Sequence, residues 1–309
     1  MKIKIAEYDN GNVHVIRFDD GTVIRFSEDD EFDFAYPENM DVKICDRCDM
    51  GCVMCHEGST SDGKLGDIMN AAWVDTVHPF TEMALGGGNI FEHPDLVPFL
   101  KKLQDKKVFA NVTVNQVHFL KNQDLLLDLS RKKLIWGIGV SLVKPTEELF
   151  TALKKFPNAV IHVIAGILDD HDLQILMDHG QDIKVLILGY KKLRRGNSYY
   201  LKDKNEYHGY GTSIDWKIGM LERSLYMMFQ YIRIVSFDCL AIEQLHVKTH
   251  VPPQVWDRFY QGEDGTMTFY IDMVNEQFAE SSTASLNERY SVLSSVDEMF
   301  AKVKENKNV

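Results

Sequence analysis

A chain of 309 residues, 45% of them apolar, is long enough to bury a sizeable core in one or two domains. Its formal charge of −12 argues against a protein that tracks nucleic acid with its whole surface, because phosphate binding needs a basic footprint. Five cysteines and an opening MKIKIAEYDN without a secretory apolar run argue against a disulfide framework and predict a cytoplasmic protein. The longest apolar stretch, Ala159 to Leu168, contains His162 and is too short to span a bilayer.

Residues 2–26 predict a small β-meander. The runs VHVIRF and TVIRF are broken by Asn10-Gly11 and Asp20-Gly21, pairs that favour hairpin turns. An acidic run from Glu28 to Asp33 reads as a solvated linker, and a strand at Met40–Ile44 follows. Apolar strand-like runs recur near Met83–Leu85, Val108–Val114, Leu134–Val140, Val160–Ile167 and Val185–Leu188. Helical patterns lie between them at Ile68–Val77, Leu96–Leu103, Asp124–Leu129, Glu147–Leu153 and Asp172–Met177. This rhythm predicts an α/β fold with a mainly parallel sheet and helices packed outside it; periodicity does not separate an open sheet from a barrel. Past Gly196 the pattern loosens. The stretch SYYLKDKNEYHGYG reads as a loop able to close over the active end, followed by a helix from Ile214 to Tyr231. RIVSFDCLAIEQL reads as a further strand with the fifth cysteine, Asp264-Gly265 as a hairpin leading into TMTFYIDMV, and Val292–Lys302 as a last helix. Three parts are expected: 1–39, the meander and linker; 40–200, the core; and 201–309, its completion and a C-terminal cap.

The stretch from Asp41 to Ser59, DVKICDRCDMGCVMCHEGS, concentrates four of the five cysteines. Cys48, Cys52 and Cys55 form C-x3-C-x2-C at the exit of a strand. Three thiolates this close can hold three corners of a cubane iron–sulfur cluster and leave the fourth iron to a ligand that is not protein. Counting Cys45 in gives a four-cysteine zinc alternative. Against it, only Asp49, Met50 and Gly51 separate the two pairs, too few for the folded turn that usually divides them.

At these residues the chain resembles the radical S-adenosylmethionine (radical SAM) superfamily. The resemblance covers residues 40–200. It implies a partial (β/α)6 barrel, here with an N-terminal β-meander and a small C-terminal α+β extension. It further implies one 4Fe-4S cluster on Cys48, Cys52 and Cys55, with SAM chelating the free iron. Reductive cleavage of SAM would then give a 5′-deoxyadenosyl radical that abstracts hydrogen from a substrate. Parallel β/α folds place their sites at the C-terminal ends of the strands, and there the resemblance continues. Gly86-Gly87-Gly88-Asn89, followed by FEHPDL, resembles the glycine-rich motif that contacts the SAM amino group. The family's glutamate is missing at Gly88 or Asn89, so the Asn89 amide oxygen or the backbone is expected to replace it. Asn115 stands where the family often has Thr-Asn-Gly. Gly139-Val140-Ser141 resembles the segment whose serine reaches the SAM ribose or carboxylate. Ile164-Ala165-Gly166-Ile167 resembles the one that packs on adenine, and His56 takes the place of an aromatic residue near that ring. Singly, an asparagine or serine at a strand end caps a helix more often than it binds a cofactor.

Lys191, Lys192, Arg194 and Arg195 make a local basic patch, equally a solvated loop or an anion site, with Arg194 and Arg195 as cofactor-binding candidates. The auxiliary-cluster cysteines of peptide-modifying members are absent, so a single cluster is expected. A peptide is the favoured substrate (RiPP-type modification or epimerisation), a small molecule is allowed, and flavodoxin or ferredoxin is the expected reductant. The second reading is a nucleotide or nucleic-acid substrate, motivated by the basic patch. A non-catalytic zinc- or cluster-binding regulator is the reading of another class. Cys239 is either a buried structural cysteine or a hydrogen-atom donor, as in radical SAM peptide epimerases.

Overall fold

The computed structural model describes residues 2–206, 211–260 and 262–305. Its first element is the expected meander, an antiparallel sheet in the order β1 (Lys4–Asn10), β2 (Val13–Phe18), β3 (Val23–Phe26). Gly11, at φ +63°, makes the first turn, where an added Cβ would meet the Asp33 carbonyl at 1.8 Å.

A second, ten-stranded sheet holds the rest. Its strands are β4 (Asn39–Cys45), β5 (Glu82–Gly87), β6 (Phe109–Asn115), β7 (Gly137–Ser141), β8 (Ala159–Ile164), β9 (Lys184–Leu188), β10 (Ile234–Phe237), β11 (Thr268–Asp272), β12 (Gln277–Ala279) and β13 (Tyr290–Ser291). The order is β10-β9-β8-β7-β6-β5-β4-β11-β12-β13. Among the described residues, eight neighbouring strands from β10 through β4 to β11 run parallel, and no ladder joins β10 back to β11. The parallel run is therefore longer than the six strands implied by the resemblance, because β10 and β11 extend it at its two ends.

Helices α1 (Leu96–Asp105), α2 (Gln116–Lys121), α3 (Gln123–Arg131), α4 (Glu147–Leu153) and α5 (Asp170–Asp178) alternate with the strands. After β9 come α6 (Arg194–Asn205), α7 (Ile214–Tyr231), α8 (Cys239–Gln244), α9 (Val247–His250), α10 (Pro253–Phe259) and α11 (Val296–Glu305). No helix among the described residues is long and apolar enough to cross a membrane.

Three expectations change. The loop read at Ser198–Gly211 is mostly α6, because Tyr200 packs with Tyr190 and Ile214, and the buried Asp203 accepts from the Ile214 amide at 3.0 Å. Tyr207 to Tyr210 of that loop lie outside the described residues. The helix read at Ile68–Val77 shortens to a 3₁₀ turn at Ala72–Thr76. Upstream, the Asp67 carboxylate accepts from the Asn70 amide and offers the backbone a competing turn. Asp264-Gly265 is not a hairpin: β11 joins β4 in parallel, and the hairpin is β11–β12, turned where Asp272 Oδ1 accepts from the Val274 and Asn275 amides.

Strand alternation divides the sheet into two faces. Met40, Val42 and Ile44 of β4, and Ile161 and Val163 of β8, join the core under the helices with Phe99 and Leu100 of α1. The other face carries Asp41, Lys43, Ala84, Gly86, Gly137, Gly139, Ser141 and His162. Bulky side chains fill the interior of a closed β/α barrel; here alanine, glycine and serine on β5 and β7 leave a lumen. Gly139 is constrained by it, since an added Cβ would lie 2.2 Å from the His162 ring. Gly139→Ala is expected to cost about 1–3 kcal/mol, read by chemical denaturation, as the ring is forced from its place.

The meander closes the N-terminal ends of the strands. Arg17 of β2 pairs with Glu38 at 3.1 Å and with Glu82, and lies 5.6 Å over the Phe109 ring. A cavity of about 380 Å³ remains there, lined by Arg17, Phe109, Trp136 and Lys184. The C-terminal ends are left for chemistry.

Candidate functional site

The cysteine loop leaves β4 at the C-terminal end of the sheet. Cys45 closes the strand and is fully buried, and burial pushes its thiol up to about 12. Cys48, Cys52 and Cys55 are free and half-buried. Burial raises Cys48 and Cys52, and neighbouring motif cysteines add to the shift by opposing one another's ionisation. The Met50 amide donates toward the Cys48 sulfur, a bond that favours the thiolate.

Buried charge fixes both ends of the loop. Lys43 Nζ lies 2.7 Å from Asp46, 3.1 Å from Glu57 and 3.1 Å from Asp272. Burial opposes ionisation of Glu57, but His56 and Lys43 outweigh it and hold the carboxyl well below the usual range. Burial likewise opposes the Lys43 charge, and Glu57 and Asp272 overcome it. Arg195 donates to the carbonyls of Cys52 and Gly58, at 3.1 and 3.2 Å; Arg194 donates to the His56 carbonyl and to Glu57. On the far side His118 Nε2 is 2.7 Å from Asp49 Oδ1. The basic patch is thus no free surface: its arginines clamp the loop, and Lys191 bonds to Ser282 Oγ at 2.7 Å.

The donor set does not fit a four-cysteine zinc ion. Among the described residues, Cys48, Asp49 and His118 are the one set of three or more ligand atoms within 4.8 Å of one another. Four-cysteine zinc would need sulfurs about 3.8 Å apart, as follows from Zn–S bonds of about 2.3 Å. The three motif sulfurs do not all lie within 4.8 Å of one another, and Cys45 is sealed in the strand.

The glycine motif abuts this loop. A Cβ on Gly87, at φ +111°, would lie 2.3 Å from the Cys45 carbonyl, and one on Gly88 2.2 Å from the Arg47 carbonyl. Backbone contact with the cysteine strand therefore demands both glycines, whereas Gly86 has room, with Thr113 Cβ at 3.7 Å. Asn89 spends its amide on the next turn, accepting from the Phe91 amide and donating to Glu92. The asparagine amide thereby holds Glu92, a carboxylate beside the glycine motif that sequence reasoning did not single out. Asn115 caps α2 through the Val117 amide. Ser141 ends β7 beside Asn115 and His162 with no hydrogen bond to its hydroxyl among the described residues. Ile164 packs with Met54 of the cysteine loop against Tyr190, Tyr200 and Ile214, which forms an apolar wall at the loop's edge. Gly166, at φ +83°, admits α7, since a Cβ would meet Ile214 at 2.7 Å.

Cys239 stands elsewhere, as the first residue of α8 beyond β10, behind the capping Asp238. Its sulfur lies 4.0 Å from the Gly262 carbonyl and hydrogen-bonds Asp264, and burial pushes the thiol up to about 12. Lys191, Asp264 and Asp238 all act electrostatically on Asp41.

No family model matches the sequence, and comparison with curated proteins gives no match. Among solved structures, the chain is similar to Streptococcus suis SuiB bound to precursor peptide SuiA. That match has a TM-score of 0.53 and 12% identity, over 80% of this chain and 60% of SuiB. The chain has the fold of SuiB. SuiB bound to S-adenosylmethionine matches with a TM-score of 0.50 and 12% identity, over 80% of this chain and 61% of that one. The chain spans about three fifths of the length of SuiB, and at this identity the likeness is one of fold.

Proposed function

We propose that the chain is a radical SAM enzyme acting on a peptide. One observation carries the reading: three free thiols spaced C-x3-C-x2-C leave the central strand at the open end of a fold shared with SuiB, a protein solved with S-adenosylmethionine and with a precursor peptide. In this reading residues 40–200 form a partial barrel that binds the cofactors. Residues 1–39 close its lower end, and 201–309 complete and cap it. The protein is cytoplasmic and takes electrons from a flavodoxin or ferredoxin.

Cys48, Cys52 and Cys55 would hold the cluster. When bound, it supplies the electron that cleaves SAM to methionine and a 5′-deoxyadenosyl radical. The chain's own residues bind and orient. Lys43, Arg194 and Arg195 set the cysteine loop, Met54 and Ile164 offer an apolar face to adenine, and Ser141 offers a free hydroxyl. In this reading Glu92, held by Asn89, takes the place of the family's glutamate beside the glycine motif, which weakens the support for a non-catalytic regulator. The nucleic-acid reading loses its basic patch to the loop clamp.

Cys239 stays a thiol at neutral pH, the state from which S–H can give a hydrogen atom to a substrate carbon radical. Cys239→Ala is expected to keep SAM cleavage and lose the quenched product. Full turnover to the same product, measured by mass spectrometry, would exclude the donor role. The proposal itself is tested by adding dithionite and SAM to the anaerobically reconstituted protein, with and without peptide. 5′-Deoxyadenosine is expected, and its absence from cluster-loaded protein under both conditions would overturn the reading.

A further inference from the structure

We propose that the lumen takes its substrate through a cationic side chain, an ammonium or guanidinium, seated on Asp41. The inference rests on the reading of the lumen as the substrate chamber, and it names the chemistry that chamber selects.

Asp41 lies in the middle of β4, on the face opposite Met40, Val42 and Ile44. Its partners in register are Ala84 on β5 and Tyr270 on β11. Alanine is too short to cover the carboxylate, and Gly86 adds nothing beyond it. The other inward acids are matched within the protein: Glu82 by Arg17, and Asp272 by Lys43. Asp238 accepts from the Gly189 and Ala241 amides, and Asp264 is bonded to Cys239. Asp41 has neither a hydrogen bond nor an ion pair among the described residues. It is accessible to water yet ringed by protein, the mark of a concave chamber, and that surrounding pushes its pKa up.

The carboxylate itself sets the sign of that partner. Of the neighbouring charges Lys191, its ammonium held by Ser282, acts most strongly and favours the ionised form, while Asp264 and Asp238 oppose it. His162 shares the same face of the sheet on β8. Its ring lies against Gly139, its buried Nδ1 has no partner, and burial with Lys191 nearby lowers its pKa to about 4. A neutral imidazole does not repel a cation, and its open nitrogen can hydrogen-bond the group that carries one. The substrate's cation would complete the pairing that the chain leaves undone.

SAM is itself cationic, so the test separates the two sources. N-acetyl-lysine methylamide and the uncharged N-acetyl-norleucine methylamide are titrated into the cluster-loaded, SAM-bound protein by calorimetry. The lysine probe is expected to bind at least about tenfold more tightly, and Asp41→Asn to abolish that preference while leaving SAM affinity unchanged. Equal binding of the two probes to the wild-type protein would overturn the proposal, and that comparison does not depend on a variant folding. Loss of SAM affinity in Asp41→Asn with the lysine preference intact would assign the carboxylate to SAM and overturn it equally. 5′-Deoxyadenosine formation is scored on the same preparations. If none forms on reduction while the lysine preference stands, the enzymatic reading falls and the cation site remains.

Discussion

Replacing Lys43 with methionine is expected to destabilise the protein by about 3–5 kcal/mol and to strip most of the iron from it. The change leaves Glu57 and Asp272, both buried, and the half-buried Asp46 facing one another without the ammonium that joins them. Removing one partner of a buried ion network costs far more than the pair is worth, because the remaining charges stay desolvated. Arg194 on Glu57 and Arg289, 3.9 Å from Asp272, soften the loss and put it at the lower end of that range. The consequence is local as well as global. Asp46 precedes the three motif cysteines and Glu57 follows them, so Lys43 ties both ends of the loop to β11. Urea denaturation with an iron assay of the same sample checks both effects. A shift below about 1 kcal/mol with iron retained would mean that the network behaves like a surface pair.

The second large effect separates the cysteines from one another. Cys48→Ala, Cys52→Ala and Cys55→Ala are each expected to abolish cluster retention, since two thiolates leave two irons exposed to solvent and exchange. Cys45→Ala, by contrast, is expected to keep the cluster and lose only packing at the end of β4. Anaerobic iron and sulfide analysis of the four variants decides between this account and a four-cysteine zinc site, in which Cys45 would matter as much as the rest.

The parallel α/β architecture was legible because its strands are apolar runs of ordinary length and its helices have clear faces. Glu147–Leu153 and Ile214–Tyr231 were read with the boundaries the structure shows. The cysteine triplet was legible because its spacing is local. What the sequence hid was every contact between residues far apart along the chain. Lys43 meets Asp272 across 229 positions, and Arg195 reaches Cys52 across 143. No periodicity records either. The same blindness made Arg194 and Arg195 look like a basic patch and Ser198–Gly211 like a loop, since only the packing of Tyr200 on Tyr190 and Ile214 makes that segment a helix. Gly87 and Gly88 were singled out for the close approach of a ligand, whereas the close neighbours the structure gives them are the protein's own Cys45 and Arg47 carbonyls. Asp264-Gly265 carried a hairpin signal that the parallel docking of β11 beside β4 overrode.

The account depends on Cys48, Cys52 and Cys55 holding a cluster whose remaining iron is free to take SAM. Electron paramagnetic resonance of the dithionite-reduced, anaerobically purified protein, recorded with and without SAM beside a metal analysis, tests this most directly. About four irons per chain and a cluster signal that changes when SAM is added are the expected result. A colourless protein that carries zinc, or a cluster signal indifferent to SAM, would contradict it.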